Sequence, residues 1–137
     1  MYIRDISQIT EAQAIYHIDI GTLTVFDTYI VAEFNEGLAI GFDNGREMLG
    51  IIYDHFSDSG NFGFICNRVH AFSMIPTDLY QLDELFTNSP KIAIINYSTL
   101  GRLIAEYERS YWPFPIALFN DLSAGIIWVD EALEKVS

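Results

Sequence analysis

The stretch Asn61 to Tyr80 constrains this chain more than any other. Phe62, Phe64, Ile65 and Cys66 form a short apolar run without a charge, which fits a strand covered on both faces. Asn67 and Arg68 end the run, and a polar loop follows. Pro76 then suits the first turn of a helix, where its missing N–H would have been unpaired anyway. The rest of the chain reads as scaffold around this turn.

Composition sets the outer limits. A length of 137 residues predicts a single domain that buries about 70% of its unfolded surface, with residues 1–12 as an N-terminal arm. Half the residues are hydrophobic and 15% are aromatic, too apolar a mix for a disordered chain. Against 19 acidic side chains stand only seven basic ones, and the formal charge of -12 repels phosphate backbones and anionic membrane surfaces. The basic residues are scattered, so nucleic acid is not expected as a partner.

Cys66 is the only cysteine, which excludes an internal disulfide; no paired ligand spacing points to zinc. The thiol reads as a small hydrophobe inside a strand. No charged segment followed by an apolar one opens the chain, and no apolar run approaches the ~20 residues needed to span a bilayer. The expected setting is soluble, reducing and cytoplasmic, without membrane insertion.

In chain order, Tyr16, Ile18 and Ile20 alternate with His17 and Asp19, and after Gly21 the alternation resumes through Leu23 and Val25. Asp27-Thr28 is a turn, Tyr29 to Phe34 is β-rich, and a short strand is predicted from Leu38 to Phe42. This opening reads as an antiparallel meander. Residues 44–57 form an amphipathic helix, with a capping box from Asn44 and Glu47. A further helix is predicted from Pro76 to Phe86, with Leu79, Leu82 and Phe86 on one face. Lys91 to Asn96 is a second buried strand. Ser98 caps a helix whose inner stripe is Leu100, Leu103, Ile104, Tyr107 and Tyr111, ended by Pro113 and Pro115. Ile116 to Phe119 is a strand, and Asp121 caps the last helix. The later strands, separated by single helices, run mostly parallel. The fold class is α/β: a mixed sheet in which an antiparallel meander is followed by β-α units, with about four helices packed on it.

The chain resembles the STAS/SpoIIAA-like domains, in particular their small stand-alone bacterial members of flavobacterial type. The residues that carry the likeness run from Gly21 to Trp128: Gly21-Thr22-Leu23 with Phe26-Asp27, Ala32 to Gly37, Asn67-Arg68 before Phe72-Ser73, Pro76, and Phe119 to Leu122 with Trp128. The resemblance implies a compact mixed sheet with helices on it, shared more distantly with CRAL-TRIO lipid-transfer domains. In the best-understood relatives, antagonists of anti-sigma factors, a hydroxyl in an Asp-Ser-Ser-Gly turn at the second helix is phosphorylated. Here Ile75-Pro76-Thr77-Asp78 stands in that turn, so Thr77 is the nearby hydroxyl and Asp78 would repel an added phosphate. The alternative for Thr77 and Ser73 is that both bond backbone groups at the helix start.

Asn67, Arg68, His70 and Ser73 are the densest polar group, and they leave a buried strand at its carboxyl end, where α/β sheets place their sites. In the structural alternative Arg68 pairs with a carboxylate, Asn67 closes the turn and His70 is exposed. His17, His55 and His70 lack metal-ligand spacing, and Cys66 is too enclosed for nucleophilic work, so no enzyme chemistry, metal or cofactor is expected. Tyr107, Tyr111 and Trp112 either fill the core and shield the sheet edge or expose a patch for a partner.

The candidate interaction site is therefore Asn67, Arg68, His70, Ser73, Thr77, Tyr111 and Trp112. The expected function is a non-enzymatic, STAS-like interaction or regulatory module that docks a protein partner or itself as a homodimer. The alternatives are a phospho-regulated switch and a carrier of a small apolar ligand, the latter needing a cavity of about 300 Å3 or more, lined by Phe62, Phe64, Ile94 and Tyr107.

Overall fold

Alternation at the N-terminus becomes a three-stranded meander in the computed structural model, which describes residues 1–135. Strands β1 (Ala14–Ile18), β2 (Gly21–Val25) and β3 (Tyr29–Phe34) pair antiparallel, with Tyr16 opposite Leu23 and Leu23 opposite Ala32. Gly21 opens β2 at φ 152°, and a Cβ there would lie 2.2 Å from the Glu33 carbonyl oxygen. Only glycine fits that approach.

After β3 the chain forms a two-residue strand β4 (Ala39–Ile40) and then helix α1 (Phe42–Phe56). The central apolar run is β5 (Gly63–Arg68); β6 (Ser73–Met74) and the single turn α2 (Pro76–Leu79) follow. The remaining elements are β7 (Lys91–Asn96), α3 (Thr99–Glu108), β8 (Ile116–Phe119) and α4 (Leu122–Glu134). Six strands form one sheet in the order β1-β2-β3-β5-β7-β8, parallel from β3 onward, while β4 and β6 pair apart from it. The α/β class and the mixed sheet are those the sequence predicts.

Strand alternation divides the core in two. Phe64, Cys66, Ile92 and Ile94 face Met48 and Ile52 of α1, Ala105 of α3 and Trp112. Val31, Ile65, Ala93 and Ile95 point the other way, onto Leu122, Ile126 and Val129 of α4 and onto Ile3 of the N-terminal arm. The arm is two short 3-10 turns, Ile3–Asp5 and Ser7–Glu11. Two glycines let α4 close on the sheet: a Cβ on Gly63 would meet Val129 Cγ1 at 2.2 Å, and one on Gly125 would meet Ile95 Cδ1 at 2.5 Å. Full burial of each large aliphatic side chain contributes about 1.5–3 kcal/mol, so the two packed faces dominate stability.

Three local expectations are corrected. Helix α1 starts two residues before Asn44, whose Oδ1 accepts the Gly41 N–H at 2.8 Å and whose Nδ2 donates to the Ala39 carbonyl at 2.9 Å. Asp78, not Glu47, completes that helix start, accepting the Phe42 N–H at 3.0 Å. The helix expected from Pro76 to Phe86 stops after one turn and resumes as a 3-10 turn at Leu82–Glu84. Leu79, Leu82 and Phe86 still face one core, so their spacing marks a shared interior rather than a continuous helix.

The third correction concerns α3. Leu100, Leu103 and Tyr107, expected inside, are 66%, 62% and 64% exposed. Ala105 and Glu108 are the residues this helix buries. A buried carboxylate sets its rotation, because Glu108 has a partner beneath it.

Candidate ligand pocket at the sheet rim

The carboxyl ends of β3, β5 and β7 carry Glu33, Asn67 with Arg68, and Asn96, all buried. Alternation sends these side chains to opposite faces. On the α4 face the N-terminal arm closes a complete network: the Ile3 N–H donates to Glu33 Oε2 at 2.8 Å, and Asn67 Nδ2 donates to the same oxygen at 2.7 Å and to the Met1 carbonyl at 2.8 Å. The Tyr97 hydroxyl lies 2.6 Å from Asn67 Oδ1. Burial, reinforced by the charges of Glu33 and Asp121, pushes that hydroxyl up to about 12.

On the opposite face Arg68 is paired. Its Nη2 donates to Glu108 Oε1, and Glu108 Oε2 accepts the Met74 N–H at 3.0 Å. The guanidinium carbon lies 4.7 Å from the centre of the Phe72 ring. Cys66 sits beneath, fully buried, and burial pushes its thiol up to about 11 although the charge of Arg68 acts against the rise. The thiol is therefore neutral and enclosed, which leaves it no nucleophilic role near pH 7.

Between the loop after β5 and the start of α3 lies a cavity of about 260 Å3, walled by Arg68, His70, Phe72, Asn96, Leu100 and Ile104. Asn96 is the register partner of Arg68 across the parallel strands. It is 4% exposed, and neither its Oδ1 nor its Nδ2 has a hydrogen-bond partner; Arg68 Nε is likewise unpaired. Asn96 lies under the first turn of α3, where a Cβ on Gly101 would come within 3.6 Å of Asn96 Oδ1. The Ser98 hydroxyl accepts the Gly101 N–H at 3.0 Å and caps the helix as predicted. Nearly all buried polar atoms in folded proteins find a partner.

The predicted site residues separate. Arg68 and His70 line this pocket, but Asn67 belongs to the opposite face and is part of β5, not of a loop. His70 is exposed, with Nε2 2.7 Å from the Tyr2 hydroxyl. Ser73 and Thr77 are exposed, outside the pocket, and neither hydroxyl bonds the helix start; Ile75 precedes α2 without a side-chain cap. Trp112 does not form a surface patch: it is buried in the core beside Phe114, with an unpaired indole N–H. Tyr111 is half-buried, its hydroxyl 3.3 Å from that of Tyr107. The proline-bounded segment folds Trp112 inward because its apolar area outweighs one lost hydrogen bond.

A second cavity, of about 70 Å3, lies among Phe62, Phe64, Met74, Ile92 and Trp112. It is well short of the ~300 Å3 of a drug-sized site, and Tyr107, expected in its wall, points to solvent instead. Asn96 and Glu108 escaped sequence reasoning. Asn96 had one visible signal, since it ends its apolar run as Arg68 follows the other; Glu108 looked like an ordinary surface position on a helix.

Histidine chemistry is already committed elsewhere: His55 Nε2 lies 2.9 Å from the Tyr16 hydroxyl and His17 Nδ1 lies 3.3 Å from the Thr22 hydroxyl. Among the described residues no three His, Cys, Asp or Glu side chains converge as a metal site. None of their helices is long and apolar enough to cross a membrane. No family model, curated protein or solved structure matches this chain.

Proposed function

We propose that this chain is a non-enzymatic, STAS-like regulatory module that takes up a small molecule in the rim pocket and presents α3 to a protein partner. The observation that carries the reading is the Asn96 amide, buried and unpaired on both atoms beside a cavity of about 260 Å3. Binding rather than turnover fits the neighbouring groups. Arg68 is neutralised by Glu108, Ser98 is engaged as a cap, and the thiol of Cys66 is held protonated. In the pocket wall itself His70 is bonded to the Tyr2 hydroxyl, and the hydroxyls of Tyr97 and Ser98 have partners other than His70.

The outward stripe of Leu100, Leu103 and Tyr107 favours a protein-facing role for the same helix. The net charge of -12 selects a basic, apolar partner segment over a second copy, which would bring an equal negative charge. Leu100 belongs both to this stripe and to the pocket wall, so occupancy of the pocket reaches the docking face through one side chain.

A fragment screen by ligand-observed NMR tests the reading on the native protein and on Asn96→Leu. The expected result is a set of binders whose signals are lost in the variant and which are recovered chemically unchanged. Binders indifferent to Asn96, or consumed by the protein, would count against it.

A further inference from the structure

We propose that the outer edge of β8 docks a second copy of this chain, two β8 strands pairing antiparallel about a two-fold axis so that the two sheets become one. β8 ends the sheet and pairs only with β7. Its side chains reach both cores, Ile116 and Leu118 one and Phe119 the other, yet all four residues stay half-buried, whereas β5 is buried throughout. The opposite edge, β1, is built otherwise: Ile15 and His17 stand in water on its open face, and Glu11 and Asp19 flank it. Edge strands are commonly kept apart by a charged side chain. Residues 110–120, which include β8, form the longest stretch of the chain without one. Pro115, which has no N–H to offer, ends the pairing at Ile116.

The surroundings of the edge select a second copy over a foreign strand. A lone extended segment would bond the backbone of β8 but leave bare the half-buried side chains above and below it. A second copy brings its own helices to both faces. On one face Trp128 of α4, itself half-buried, leans on Phe119 with the rings 6.0 Å apart, and the two-fold sets two such pairs side by side. On the other face lies α3. Its Leu100 and Ile104 look into the cavity on the β5 side of β7, so at about 100° per residue Arg102, Glu106 and Arg109 occupy the flank toward β8. All three are exposed. Antiparallel copies of α3 would stand about 14 Å apart, three strand spacings, which brings Glu106 of each within reach of an arginine of the other. Repulsion between two chains of net charge -12 is screened beyond about 8 Å at physiological salt, so the groups at the contact decide. There the strand is uncharged and its flanks are of mixed sign.

The experiment is sedimentation equilibrium of the full chain at physiological salt, from about 1 µM to about 1 mM. The native protein is compared with Ala117→Lys on the β8 edge and Ile15→Lys on the β1 edge. The native chain is expected to pass from one copy to two and to stop there, because the pairing uses the only β8 edge each copy has. Ala117→Lys is expected to weaken the dimer by about tenfold or more, as an edge lysine does, and Ile15→Lys to leave it unchanged. A chain that stays single at the highest concentration, assembles beyond two copies, or is weakened no more by Ala117→Lys than by Ile15→Lys overturns the proposal. Hydrogen exchange of the native chain at both ends of the range keeps the test valid if a variant fails to fold. Exchange that slows with concentration at Ile116–Phe119 and not in β1 supports the β8 contact. Slowing in β1, or no change at β8, overturns it.

Discussion

Glu108 and Arg68 hold α3 on the sheet through one buried ion pair, and the second carboxylate oxygen of Glu108 ties down the backbone of Met74. Removing one partner leaves the other as an uncompensated buried charge, which costs about 3–5 kcal/mol. Both Glu108→Leu and Arg68→Met are therefore expected to lower stability by several kcal/mol. The double variant Arg68→Met with Glu108→Leu should recover much of that loss, because an apolar pair of similar volume needs no desolvation of charge. Urea denaturation of the three variants measures the coupling; additive losses would show the pair contributes nothing as a pair.

The rotation of α3 gives a second prediction. Leu103→Glu is expected to change stability by no more than ~0.5 kcal/mol, since the side chain already stands in water. Ala105→Leu, about half a helical turn from Tyr107 and facing the sheet, should destabilise by about 1–3 kcal/mol through overpacking. Thermal melts decide it, and the opposite order would restore the apolar stripe to the interior.

That reversal also marks how much the sequence discloses. β5 and β7 are legible because continuous apolar runs of strand length have few alternatives, and the meander because Tyr16, Ile18, Leu23 and Val25 keep a strict period of two. Periodicity alone misorients α3, because it counts Leu100 and Tyr107 as buried and cannot weigh a carboxylate that finds a cation 40 positions earlier. The site is harder still. Arg68 is visible as a polar residue at a strand end, yet the unpaired amide of Asn96 depends on which neighbours fail to reach it, a property of the packed chain only.

Alkaline titration supplies a third prediction. The Cys66 thiol ionises near 9 when exposed and at about 11 in the fold, because burial disfavours the thiolate. Below pH 9 both states keep the proton and the stability is fully present. Between pH 9 and 11 only the unfolded chain gives it up, so stability falls with rising pH, by up to about 3 kcal/mol for a shift of this size. Tyr97, pushed up to about 12, adds to the fall at higher pH. Denaturation midpoints from pH 7 to 11 should decline, and Cys66→Ala should flatten the part between 9 and 11. An aromatic disulfide reagent at pH 8 should modify the thiol only at the rate of unfolding; rapid modification would show an accessible thiol.

Asn96→Leu gives the sharpest test, because function and stability pull it in opposite directions. In the folded chain the amide is desolvated and has no partner among the protein's own groups, a state that costs about 1–3 kcal/mol. Leucine has the same branching, is larger by two methyl groups in place of the amide atoms, and asks for no partner; the neighbouring walls, Phe72, Leu100 and Ile104, are apolar and border a cavity that can take the added volume. The variant is therefore expected to be more stable than the native protein by about 1–2 kcal/mol while losing its ligand. A residue kept for architecture behaves otherwise: its replacement would lower the urea midpoint. A rise in midpoint together with loss of ligand identifies Asn96 as a group held unpaired for something that enters from outside.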